Sequence, residues 1–199
     1  MTGNYKFYRC CYRFARAVFG IFYRIKVTGS ENIPAGAAVL CGNHSSMIDP
    51  IFIAFGFGID HFLHFVAKIE IFKVPILSAL VKGLGAISVN REISDITTIR
   101  NILAYLKAGQ KVAIFPEGTR SSTDELKSLK TGAVKIAERA KVPVIPVYLP
   151  RKKPLFSKVH IVIGETCFFE KGSGKRSPED YSKLADELMS KVIALNPDC

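Results

Sequence analysis

An α/β fold is predicted: a mostly parallel central sheet with helices on both faces, preceded by a basic amphipathic helix. Three observations carry it. Short apolar runs are bounded by turn residues, stretches of helical periodicity separate those runs, and a stripe of cations is confined to the N-terminus. The 199 residues, 48% hydrophobic and 23% charged, suffice for one domain with a sizeable core. We therefore divide the chain into an N-terminal helix, 1–25, and a single α/β domain, 26–199.

At the N-terminus Lys6, Arg9, Arg13 and Arg16 interrupt every apolar window, so neither a signal peptide nor a clean transmembrane span is expected. At 100° per residue these cations fall within an arc of about 80°. Phe7, Cys11, Phe14, Val18, Ile21 and Phe22 take the opposite side. Such a helix suits the headgroup plane of an anionic membrane, arginines on phosphates and aromatics toward the acyl chains. The alternative is a helix packed on the domain with its charges solvated. That no acidic residue precedes Glu31 favours the membrane.

The remaining elements follow in order. Ala37 to Cys41 is a buried apolar run, and Asp49-Pro50 opens a helix with Asp as N-cap and Pro at the first helical position. The oily segment from Ile51 to Ile59 is too short to span a bilayer and is interrupted by Asp60, His61 and His64. A strand near 62–67 follows, and another apolar segment ends at Val89. Ser94 opens a helix with Ile96, Ile99, Leu103 and Leu106 at helical spacing, and Gly109 closes it. Strands at 111–115, 143–149 and 159–163 and a helix at 131–139 come next, and Ser177-Pro178-Glu179-Asp180 caps a last helix.

A parallel sheet binds ligands beyond the carboxyl ends of its strands. His44, Lys68, Arg91 and the segment Glu117 to Arg120 each follow such an end. In Asn43-His44-Ser45-Ser46-Met47-Ile48-Asp49 the histidine precedes the carboxylate by five residues. On a helix that spacing turns through about 500°, so the pair can meet only across a turn, where it can act as general base and orienting partner. Asn, His, Ser and Asp are also ordinary loop formers, and Asp49 could simply cap its helix.

The net charge of +11 implies an anionic partner. Nucleic acid is disfavoured, because the chain has no zinc-ligand spacing, RNA-binding signature or glycine-arginine tract. Five cysteines without a Cys-x-x-Cys pair suit a reducing compartment. His61 and His64 resemble a metal pair only by spacing, and we predict no metal.

With Phe115-Pro116-Glu117-Gly118-Thr119-Arg120-Ser121, the Asn43 to Asp49 motif resembles the paired signature of the glycerolipid acyltransferases. Two weaker motifs stand in the family's order: Gly85-Ala86-Ile87-Ser88-Val89-Asn90-Arg91 and Val142-Pro143-Val144-Ile145-Pro146-Val147. Ser88 and Asn90 replace the family's more usual aromatic and acidic residues, while the arginine is present. The four motifs span residues 43 to 147.

The resemblance implies transfer of an acyl group from acyl-CoA or acyl carrier protein to the hydroxyl of 1-acylglycerol 3-phosphate (lysophosphatidate), making phosphatidate, with no cofactor beyond the donor. His44 would be the general base and Asp49 its partner. Arg120, Gly118 and Thr119 would receive the phosphate, with Arg91 a second clamp and Glu117 orienting Arg120 or the acceptor hydroxyl. Lys68 and Lys130 match basic positions of the family. The phenylalanines after Asp49 would line an acyl-chain groove or dip into lipid, a packed core being the alternative. Attachment to the cytoplasmic face of the cell membrane, as a peripheral protein, is expected. Rival acceptors are glycerol 3-phosphate or another lyso-lipid, and a rival class is a serine acyl hydrolase using Ser45 or Ser46.

Overall fold

A computed structural model describes residues 4–90, 96–118, 120, 121, 123, 129–169 and 176–197. Along them run α1 (Tyr5–Phe22), β1 (Arg24–Thr28), β2 (Ala38–Gly42), α2 (Asp49–Phe57), β3 (Leu63–Lys68), α3 (Pro75–Gly83) and β4 (Ile87–Val89). They continue with α4 (Ile96–Lys107), β5 (Lys111–Ile114), α5 (Gly132–Ala140), β6 (Val144–Tyr148), β7 (Lys158–Ile163) and α6 (Pro178–Ala194). The strands form one sheet in the order β1-β7-β6-β2-β5-β3-β4.

From β6 through β4 neighbouring strands are parallel, so their carboxyl ends share one edge. β7 is antiparallel to β6, and β1 is parallel to β7. These two strands therefore begin at the edge where the others end. β1 is absent from the sequence reading, although Ile25 and Val27 alternate with Arg24 and Lys26 in the period of a strand. The boundary drawn at residue 25 falls inside it.

Central β2 is buried along its whole length. Its period-two alternation sends Ala38 and Leu40 to a core with Phe52 and Ile53 of α2, while Val39 and Cys41 face α4, α5 and α6. Local signals fixed several helix ends. Gly109, at φ 78°, follows α4, and Ser177 with Asp180 forms a capping box at α6. The segment expected to open α4, Ser94-Asp95, lies outside the described residues.

α1 divides its surface three ways. Tyr8, Tyr12, Ala15 and Phe19 turn inward, where Tyr12 meets Phe55 edge-on at 5.4 Å and Phe19 meets Phe52 at 5.6 Å. Phe14 and Ile21 face outward, exposed by 72% and 70%, and Phe7 and Phe22 are also exposed. On the cationic side Lys6 and Arg13 are exposed, Arg9 reaches Asp60 at 3.5 Å and Arg16 lies over the Phe55 ring at 5.5 Å. Packing on the domain and an uncovered apolar stripe thus coexist on one helix.

Candidate active site

β2 ends where Asn43 leaves the ladder, and the Asn43 side chain replaces the lost backbone pairing. Its Nδ2 donates to Leu149 O at 2.7 Å and its Oδ1 accepts from Leu149 N at 2.8 Å. With those bonds made by a side chain, the backbone is free to turn away at His44. Asp49 is the first residue of α2, and Ile48 holds the cap position expected for Asp49. The carboxylate instead reaches back over its own loop. Oδ2 accepts from Ser45 N and Ser46 N, both at 2.7 Å, and lies 2.9 Å from His44 Nδ1.

The wholly buried Asp49 thus fixes the histidine's orientation. With Nδ1–H turned to the carboxylate, Nε2 is the nitrogen left to accept a proton. The imidazole stacks on Phe115, centroids 4.1 Å apart and 19° from parallel. Burial works to raise the Asp49 pKa, but the His44 hydrogen bond, the charge and hydrogen bond of Lys153 and the Ser46 N–H together hold it below its ordinary value.

Lys153 and Arg151 were not nominated from the sequence. Lys153 Nζ lies 2.7 Å from Asp49 Oδ1, with a side chain only 2% exposed, and donates to Ser45 Oγ at 3.0 Å. Arg151 grips Glu117 with two nitrogens: Nη2 is 2.8 Å from Oε1, and Nη1 donates to Oε2 at 3.1 Å. The same Nη1 donates to the carbonyls of His44 at 3.3 Å and Ser121 at 3.1 Å. Glu117 also accepts the His44 backbone N–H at 3.2 Å. Glu117 therefore holds the His44 main chain both directly and through Arg151, contacts that the expected role of orienting Arg120 or the acceptor hydroxyl did not include. A signal existed, because Arg151-Lys152-Lys153 follows the carboxyl end of β6 as His44 follows β2.

The second motif docks on the first: Ser121 N donates to His44 O at 2.8 Å. Gly118 takes φ 69°, where a Cβ would stand 3.2 Å from Lys130 Cγ, so the turn favours glycine twice over. Lys130 N donates to Pro116 O at 2.8 Å while its side chain reaches solvent. Arg120 is exposed, and Lys68 sits at the end of β3, 3.2 Å from Glu70. Arg91 and Thr119 lie outside the described residues. His64 belongs to the core: Nδ1 bonds Gly85 O at 2.7 Å, Nε2 meets Gln110 Oε1 at 2.8 Å, and the ring stacks on Tyr105.

Beside Pro50, next to Asp49, opens a cavity of about 340 Å³ between α1, α2, β3 and α3. Tyr12, Phe14, Ile51, Phe55, Phe65 and Leu80 line it, and its wall is almost wholly apolar.

A histidine held by a buried carboxylate at the carboxyl edge of a parallel sheet, with an apolar cavity against the helix that carries the carboxylate, is an arrangement suited to general-base activation of a hydroxyl or water. Comparison with known proteins narrows the class. The acyltransferase family model matches residues 24–150. A 1-acyl-sn-glycerol-3-phosphate acyltransferase of Bacillus subtilis is 33% identical over 194 residues, covering 94% of this chain and 96% of that protein. A chloroplast enzyme of that name from Arabidopsis thaliana is 34% identical over 132 residues, 64% of this chain and 36% of its own. The crystal structure of the 1-acyl-sn-glycerophosphate acyltransferase of Thermotoga maritima superposes with a TM-score of 0.71 at 29% identity, covering 96% of this chain and 80% of that one. The chain belongs to the acyltransferase family and is an O-acyltransferase.

Proposed function

We propose that the protein acylates the free hydroxyl of 1-acylglycerol 3-phosphate from an acyl thioester, giving phosphatidate for phospholipid synthesis. The observation that carries this reading is the 2.9 Å contact of His44 Nδ1 with the buried Asp49 carboxylate, in a chain whose relatives bear that activity in their names. His44 Nε2 takes the hydroxyl proton as its oxygen attacks the thioester carbonyl. Asp49 steadies the imidazolium, which returns its proton to the departing thiolate. No cofactor beyond the donor, acyl-CoA or acyl carrier protein, is needed.

Exposed Arg120, the Gly118 turn, Thr119, Arg91, Lys68 and Lys130 are assigned to the acceptor's phosphate. The apolar cavity beside Pro50 suits an acyl chain, its volume falling in the usual range for ligand pockets. The Ser45 hydroxyl accepts a hydrogen bond from Lys153, which is also ion-paired with Asp49, and the His44 Nδ1 is taken up by the Asp49 carboxylate. That weighs against Ser45 as the nucleophile of a serine hydrolase.

No helix among the described residues is long and apolar enough to cross a membrane. We assign α1 to the interface of an anionic membrane at the cytoplasmic face, through Phe7, Phe14 and Phe22 with Lys6, Arg9, Arg13 and Arg16. Offering 1-acylglycerol 3-phosphate, glycerol 3-phosphate and a lyso-lipid without free phosphate, each with acyl-CoA and with acyl carrier protein, tests the reading. Phosphatidate should form fastest. Faster acylation of glycerol 3-phosphate would contradict the acceptor assignment.

A further inference from the structure

The loop joining β6 to β7 faces two ways. Inward it sends Arg151 to Glu117 and Lys153 to Asp49. Outward, Leu155 and Phe156 stand 63% and 67% exposed. Phe156 holds φ 64°, a left-handed conformation uncommon for bulky side chains. The conformation is anchored: Phe156 N donates to Phe22 O at 2.7 Å, Ser157 N closes a turn on Pro154 O at 3.2 Å, and the Phe156 and Phe22 rings are 5.9 Å apart. The loop tip and the last turn of α1 therefore make one outward apolar patch: Ile21, Phe22, Leu155 and Phe156.

Topology places this patch on the catalytic edge. β1 starts at Arg24 opposite Lys158, the first residue of β7, and β7 starts where β6 ends. Met47, in the loop of the base, and Val74 and Ile76, after β3 ends, are exposed at the same edge. Arg24, Lys152 and Lys158 flank the patch and are exposed. No acidic residue occurs between Lys141 and Gly164 or before Glu31. Projecting apolar side chains ringed by cations fit the headgroup region of an anionic bilayer, where rings sink past the phosphates that the cations meet. An acidic protein surface would match the charge, but not the projecting rings.

We propose that the Leu155–Phe156 tip, with Ile21 and Phe22, inserts into an anionic lipid surface and holds the catalytic edge against it. This rests on the membrane reading of α1 and goes beyond it, because the contact is made by the loop whose base carries Lys153 and Arg151. The outward tip is presented to lipid while the inward arms fasten the base and its partner, so docking and the catalytic geometry share one loop.

The test uses the full chain, which contains no tryptophan, so one introduced indole reports alone. Phe156→Trp and, should that variant fold poorly, Leu155→Trp are mixed with phosphatidylglycerol–phosphatidylcholine vesicles whose acyl chains are brominated near the headgroup. Phe168→Trp is the comparison, because exposed Phe168 adjoins Cys167, which bridges to Val144 at the opposite edge. At the depth of roughly 5–10 Å that interfacial side chains reach, emission from the tip should fall about twofold or more, and that from position 168 should not. Unquenched tip emission from protein that co-sediments with vesicles would overturn the proposal while leaving the α1 reading intact. Absence of co-sedimentation would overturn both. An emission shift with acyl carrier protein, without quenching by lipid, would assign the tip to a protein partner and overturn the lipid proposal.

Discussion

Two loops meet at the catalytic edge, and they are built on different principles. The loop after β2 is self-contained: Asp49 collects His44, Ser45 and Ser46, all within five residues of it. The loop after β6 acts at a distance, Arg151 and Lys153 reaching partners 107 and 108 residues earlier in the chain. On the proposed mechanism the first supplies the reacting group, and the second supplies the charges that hold it. Chemistry assembled locally leaves a motif in the sequence, whereas charge delivered from a remote loop leaves only a basic triplet that could equally be a solvated surface.

That division of labour can be tested from the largest effect down. His44→Ala should cost about 10² to 10⁴ in the rate of phosphatidate formation, measured at matched protein concentration, since it removes the base itself. A smaller loss would return His44 to the role of a loop residue.

Lys153→Met should come next, at roughly tenfold to hundredfold in kcat, because a charged hydrogen bond to Asp49 is lost. It also has a pH signature. Lys153 helps to hold the Asp49 pKa below its ordinary value, and the Glu117–Arg151 pair remains in place nearby. Without the ammonium the Asp49 pKa rises, so activity should fail at a higher pH on the acid side than in the wild type. Stability follows the same sign: a depressed native pKa stabilises the fold above the unfolded value, and that contribution is lost as pH falls through the native one. Lys153→Met should therefore flatten the acid side of the stability profile, read by denaturant unfolding across pH. An unmoved acid limb would make Lys153 merely structural.

Arg151→Met should lower stability by about 3 kcal/mol, because Glu117 is left charged and nearly buried without its partner. Its effect on kcat should be smaller than that of Lys153→Met, since the guanidinium acts on the backbone of the base and not on the dyad. Smallest is Arg120→Ala at an exposed site. It should raise KM for 1-acylglycerol 3-phosphate by about fivefold, roughly 1 kcal/mol, and leave a neutral lyso-lipid unaffected. Equal loss on both acceptors would remove Arg120 from the phosphate site.

Much of the fold was legible because its signals are local. Short buried apolar runs marked β2, β5 and β6, an apolar alternation marked β7, and Gly109 and Ser177 marked helix ends. The alternation of strands and helices also gave the mostly parallel sheet, but not the reversal at its β7–β1 edge, because an apolar run reads the same whichever way it is paired. β7 runs against the other strands through its antiparallel pairing with β6, Val147 with Ile163 and Tyr148 with Val162, and β1 takes the same direction through a parallel pairing with β7 from more than a hundred residues away. The meeting of His44 and Asp49 could be foreseen from spacing and the helix start, although the cap was misplaced by one residue. The partner of Glu117 could not, since nothing near residue 117 points to 151. On α1 the charge stripe was legible, but the rest of the wheel carries two apolar functions. Tyr8, Tyr12 and Phe19 serve the core, while Phe14 and Ile21 are left outside.

The most direct measurement compares the rates of His44→Ala, Asp49→Asn and the double variant in single-turnover phosphatidate formation. A dyad working as one unit predicts that the double variant falls no further than His44→Ala alone, because Asp49 acts only through the imidazole. A double variant slower by the product of the two single losses would mean that Asp49 contributes independently of His44, contradicting the base-and-partner mechanism.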